Sequence, residues 1–120
     1  MKHQLVFAAM AMMGASATAM AEAQWQHAGG VGMHQFVVVD QAASTDEAVL
    51  RSAVRSVCAS EPACVVTFWS DAASVPTQMP MNHAQQHAAV ARYVHTASLG
   101  NEELLFRCQA NSPKGAKCLR

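Results

Sequence analysis

The chain has 120 residues, with eight Lys and Arg set against eight Asp and Glu, so its formal net charge is zero. With no basic run, it lacks the positive patch that nucleic acid or an anionic membrane surface would need, and neither is an expected partner. The length suits one small domain with limited capacity to bury a core.

Lys2 and His3 precede LVFAAMAMMGASATAMA, an apolar run that ends in small residues, the pattern of a secretory signal peptide over residues 1–23. Cleavage after Ala21 or after Ala23 meets the small-x-small requirement equally well. The run before Gly14 is shorter than the roughly 20 residues of a permanent membrane anchor. The expectation is a periplasmic or secreted protein with no stable membrane insertion after cleavage. A mature chain of this size leans on staples, and all four cysteines, Cys58, Cys64, Cys108 and Cys118, lie in it. An even count in an oxidising compartment points to two disulfides. Three connectivities exist, and the pairs Cys58 with Cys64 and Cys108 with Cys118 are favoured because each closes a short local loop.

Residues 24–35, QWQHAGGVGMHQ, hold three glycines and little periodicity, and read as a flexible lead-in to a domain over residues 36–120. FVVVD, residues 36–40, reads as the first strand. Ser44 and Glu47 then form an S-x-x-E capping box ahead of Val49, Leu50, Ala53, Val54 and Val57, which recur at helical spacing. Glu61-Pro62 ends that helix, since proline lacks an amide and disfavours helix in the residue before it. VVTFW follows Cys64 with little alternation, as suits a strand covered on both faces. After a loop restricted by Pro76 and Pro80, Asn82 and Gln85 cap a second helix predicted over Ala84 to Ala97, with Val90, Tyr93, Val94 and Ala97 on one face. Gly100 closes it, ELLFRC (residues 103–108) is the third strand, and a polar tail runs to Arg120. The order β-α-β-α-β predicts a small α/β domain with two helices on a three-stranded sheet and parallel neighbours, or an α+β variant with one antiparallel edge strand.

Chemistry-bearing residues are few. His83 and His87, four apart on a helix, project from one side and could share a metal ion, and with Met79 and Met81 just before them, whose sulfur suits Cu(I), they make a periplasmic copper- or zinc-binding protein the alternative reading. Met33-His34 is a further His/Met pair. The plainer account makes the histidines boundary residues of an amphipathic helix and the methionines core caps. No glutamate stands between the histidines as the general base of a zinc hydrolase. Cys58 and Cys64 would be a redox pair in a thiol-disulfide oxidoreductase, but their spacing exceeds CxxC and Cys58 ends a helix, where the dipole disfavours a thiolate. Asp40 and Asp71 each follow a strand and would meet at one sheet edge if those strands are parallel neighbours. Trp69 and Phe68 point in opposite directions; Trp69, with Asp71, is the candidate contact for a partner. With no nucleophile motif or phosphate loop, no catalytic residue is assigned. The expectation is a non-enzymatic exported domain that binds a protein partner or an envelope component.

Overall fold

The computed structural model describes residues 24–110 and 112–119, and the signal-peptide segment lies outside them. The strands are β1 (Trp25–Val31), β2 (His34–Val39), β3 (Ala63–Trp69), β4 (Ala91–Thr96), β5 (Asn101–Phe106) and β6 (Lys117–Cys118). They form a six-stranded sheet whose spatial order is the chain order. Two pairs are parallel, β2 with β3 and β5 with β6, and the other three are antiparallel. The helices are α1 (Glu47–Cys58), which makes the crossover from β2 to β3, and the short α2 (His83–Ala88).

This overturns the three-stranded β-α-β-α-β expectation: the tail read as a polar loop adds the two-residue strand β6, and two larger errors lie upstream. The lead-in is the edge strand β1, held on β2 by a ladder that shifts register between His27 and Gly29. Gly29 takes φ 124° at that bulge, and a side chain on Gly30 would run into the carbonyl of His34 and the amide of Gln35, so the glycines that suggested flexibility are what the pairing requires. The second error is the helix expected over Ala84 to Ala97. It stops at Ala88, because Ala89 turns extended at ψ 133°, and residues 91–96 enter the middle of the sheet between β3 and β5. The third strand expected at residues 103–108 is β5, one strand further along.

Local signals elsewhere act as their chemistry dictates. The Asn82–Gln85 box is formed in both directions, with Gln85 N donating to Asn82 Oδ1 at 2.8 Å and Asn82 N to Gln85 Oε1 at 2.9 Å. At α1, however, the cap is Asp46, whose carboxylate accepts from Ala48 N and Val49 N. The Ser44 hydroxyl instead donates to Gln41 O in the preceding turn, and Glu47 pairs with Arg51 at 2.8 Å rather than closing a capping box. Leu50, Ala53, Val54 and Cys58 are buried at helical spacing, packing on Val37, Val39, Val66, Phe68, Tyr93, Leu104 and Phe106 of the sheet. The second sheet face carries a smaller cluster of Phe36, Trp69 and Ala89, covered by Val75, Met79 and Met81 of the segment before α2. β3 is therefore buried on both faces, as VVTFW implies.

Both favoured cysteine pairs are bonded, with Cα separations of 5.9 Å for Cys58–Cys64 and 5.4 Å for Cys108–Cys118. Two disulfides fit an oxidising compartment. Among the described residues no helix is long and apolar enough to cross a membrane.

Candidate functional site

A cleft of about 540 Å³ opens where the C-terminal half of α1 meets β4 and β5, lined among others by Arg51, Arg55, Glu61, Tyr93, His95 and Glu102. The alternation of β4 builds its sheet-side wall: Ala91, Tyr93 and His95 face α1, while Arg92, Val94 and Thr96 face away. Tyr93 is buried in the core and lines the floor of the cleft. Its hydroxyl donates to Glu102 Oε2 at 2.9 Å, and Arg51 Nη1 donates to the other carboxylate oxygen at 3.3 Å. Arg51 also holds Glu47 through Nε at 2.8 Å. These groups order one another across α1, β4 and β5. Burial pushes the Tyr93 phenol up to about 12, and the hydrogen bond to Glu102 acts in the same direction. The Arg51 guanidinium is held still more firmly protonated, first by Glu47.

His95 lies flat beside Tyr93, with ring centroids 6.4 Å apart and planes 21° from parallel. Its Nδ1 is 3.1 Å from Asn101 O. A carbonyl oxygen only accepts, so Nδ1 donates to it, and in the neutral ring Nε2, which has no partner among the described residues, is then the acceptor. At the mouth, Arg55 and Glu61 make no ion pair among the described residues. Between them the chain turns at Ala59, whose φ of 46° and ψ of −121°, with Glu61 N donating to Cys58 O at 2.9 Å, match the first central residue of a type II′ turn, a place suited to glycine. An alanine held there is strained, and the buried Cys58–Cys64 bridge anchors the turn on one side. Chemically the cleft offers a fixed phenol, an imidazole and, unpaired among the described residues, the Arg55 cation and the Glu61 anion. Glu102, with both oxygens engaged, is no poised base.

The residues singled out in the sequence fall elsewhere. Trp69 is fully buried, meets Phe36 edge to face at 5.7 Å, and donates from Nε1 to Gln85 O at 2.8 Å. It is a core anchor for α2 and not a surface contact. Phe68 is buried on the opposite face, so the sheet claims both aromatics. Asp71 is exposed, and its carboxylate accepts from Ala73 N as the cap of a one-turn helix. Asp40 does follow the parallel neighbour of β3, so the two aspartates end adjacent strands at one sheet end.

His83 and His87 are exposed on α2, whereas Met79 and Met81 are half-buried against the Phe36–Trp69 cluster. The methionines are thus occupied in packing. No group of three or more His, Cys, Asp or Glu side chains is gathered at one point among the described residues. His34 lies in β2, with its Nδ1 buried and without a partner among the described residues, and Met33 precedes it half-exposed. Cys58 and Cys64 are buried, where an attacking thiolate has poor access, while Cys108 and Cys118 are exposed.

The cleft itself was not foreseen. Its signal in the sequence is the period-two pattern of Ala91 to Thr96, which the helical reading of the same residues concealed. Comparison with known proteins finds no match: no family model, no curated protein and no solved structure is similar to the chain.

Proposed function

We propose that the protein is an exported, non-enzymatic binding domain, and that it holds an extended segment of a partner protein in the cleft between α1 and β4–β5. The observation that carries this reading is the unspent polar equipment of the cleft. Among the described residues Arg55 and Glu61 of the lining make no ion pair, and His95 Nε2 has no partner. The wall between them includes Val54, Pro62 and the Tyr93 ring. A partner that presents an acidic side chain to Arg55, a basic side chain to Glu61, a hydrogen-bond donor to His95 and an apolar side chain to the wall between them engages every one of these groups. The Cys58–Cys64 disulfide and the Arg51–Glu102–Tyr93 network hold the walls in place before binding, which lowers the ordering cost of association. The disulfides also suit an exported protein, as does the apolar N-terminal run.

A photo-crosslinking residue at Ser60, beside the cleft, tests this in the protein's own compartment, with Ser74 as the control site. A discrete protein adduct from Ser60, absent from Ser74 and abolished by Arg55→Glu, is the expected result. Equal labelling from both sites, or an adduct formed only with a second copy of this chain, would overturn it.

A further inference from the structure

On the sheet face opposite α1, Thr67 of β3 and its register partner Arg92 of β4 sit beside Arg107, which follows β5. With Met81, Ala89 and Leu119 they line a pocket of about 50 Å³ whose lining holds two guanidiniums and no carboxylate. Thr67 is 3 % exposed. Its residual surface lies in the pocket lining, and the hydroxyl, which makes no side-chain hydrogen bond among the described residues and is not a sealed polar atom, is available to whatever enters the pocket.

The two arginines are held differently. Arg107 is fixed in place, donating from Nε to Ala89 O at 3.1 Å and from Nη2 to Gln86 O at 2.8 Å, so part of its fork is spent on the end of α2. Half-buried Arg92 makes no hydrogen bond or ion pair with any described side chain or carbonyl. Glu103, the carboxylate that β5 places on this face, is engaged by Lys117 at 3.1 Å, so it does not neutralise the pair. Arginines brought together with no counter-charge among the described residues repel one another, and a bound anion lowers that cost.

We infer that this pocket is a binding site for a single carboxylate group, carried by a peptide or a small organic acid. The carboxylate takes the bidentate fork of Arg92, the remaining Nη donors of Arg107 and the Thr67 hydroxyl. Met81, Ala89 and Leu119 receive the adjoining apolar carbon chain. This apolar wall, together with the partial engagement of Arg107 by backbone carbonyls, favours an organic monoanion over a phosphate dianion. The site lies on the other face from the cleft and stands independently of it.

The test is a titration of the oxidised, ¹⁵N-labelled chain with sodium propionate, sodium phosphate and sodium chloride at constant ionic strength, followed by NMR. Saturable shifts centred on Thr67, Arg92 and Arg107 with propionate are expected. They should weaken roughly tenfold in Arg92→Gln, as loss of a charge-assisted bidentate contact implies, and about threefold to tenfold in Thr67→Val, which keeps the side-chain shape. Phosphate saturating more tightly than propionate would overturn the carboxylate assignment. An equal response to chloride, or unchanged affinity in a folded Arg92→Gln or Thr67→Val protein, would overturn the site.

Discussion

The two faces of the sheet are closed by different means. One lies under the regular helix α1, which brings Leu50, Ala53, Val54 and Cys58 onto a continuous apolar surface. The other lies under residues 70–90, where one short helix and a proline-rich loop cover Phe36 and Trp69 and leave the Arg92 pocket beside them. A helix presents side chains at fixed spacing and fills its face. An irregular segment covers only what its few anchors reach, here Val75, Met79, Met81 and the Gln85 carbonyl. Stability is expected to rest mainly on the first face, and local opening on the second.

The contrast is tested most severely at Leu50, which is fully buried under α1. Leu50→Ala should cost about 2 to 5 kcal/mol by denaturant unfolding and should lower hydrogen-exchange protection across the whole sheet. Trp69→Phe, on the other face, keeps an aromatic ring but leaves Gln85 O without its donor; the expected cost is about 1 to 3 kcal/mol. Its loss of protection should be confined to residues 70–90, and a global loss would show that both faces unfold as one unit. The smallest effect is at Tyr93. Tyr93→Phe removes the bond to Glu102 and should cost about 1 kcal/mol near neutral pH. Because folding raises the phenol from its ordinary 10 to about 12, folding favours the protonated form. The wild-type advantage over Tyr93→Phe is therefore fully present below pH 10 and is lost as pH climbs towards 12. Denaturant unfolding of both proteins at pH 8 and at high pH checks it, and a gap that does not shrink would break the proposed coupling.

Much of the covered face was legible from residue types. The spacing of Leu50, Ala53 and Val54 marks α1, VVTFW marks a strand buried on both sides, and the short separations of the cysteine pairs point to the bridges that form. The cap of α1 was misplaced by two residues, since Asp46 and Ser44 are both good capping types and only the backbone path chooses between them. β1 was illegible for a physical reason: six of its seven residues are exposed, so its strand character comes from the backbone ladder with β2 and leaves no apolar alternation to read. β4 was misread because Val90, Tyr93, Val94 and Ala97 satisfy a helical wheel while the same stretch also alternates as a strand. Of the candidate sites, the His and Met residues could be named from sequence, but the cleft and the Arg92 pocket could not.

By itself the sequence determined the local chemistry of this protein: the helix over residues 47–58, the box at Asn82, the double burial of β3 and the cysteines close enough to pair. Tertiary structure decided whether residues 91–96 lie on a helix or in the sheet. It did so because a strand offered hydrogen-bonding edges by both β3 and β5 gains two ladders, which a short helix continued past Ala88 cannot match. That placement also put Tyr93 and His95 on one face and Arg92 on the other, and so set where each site lies.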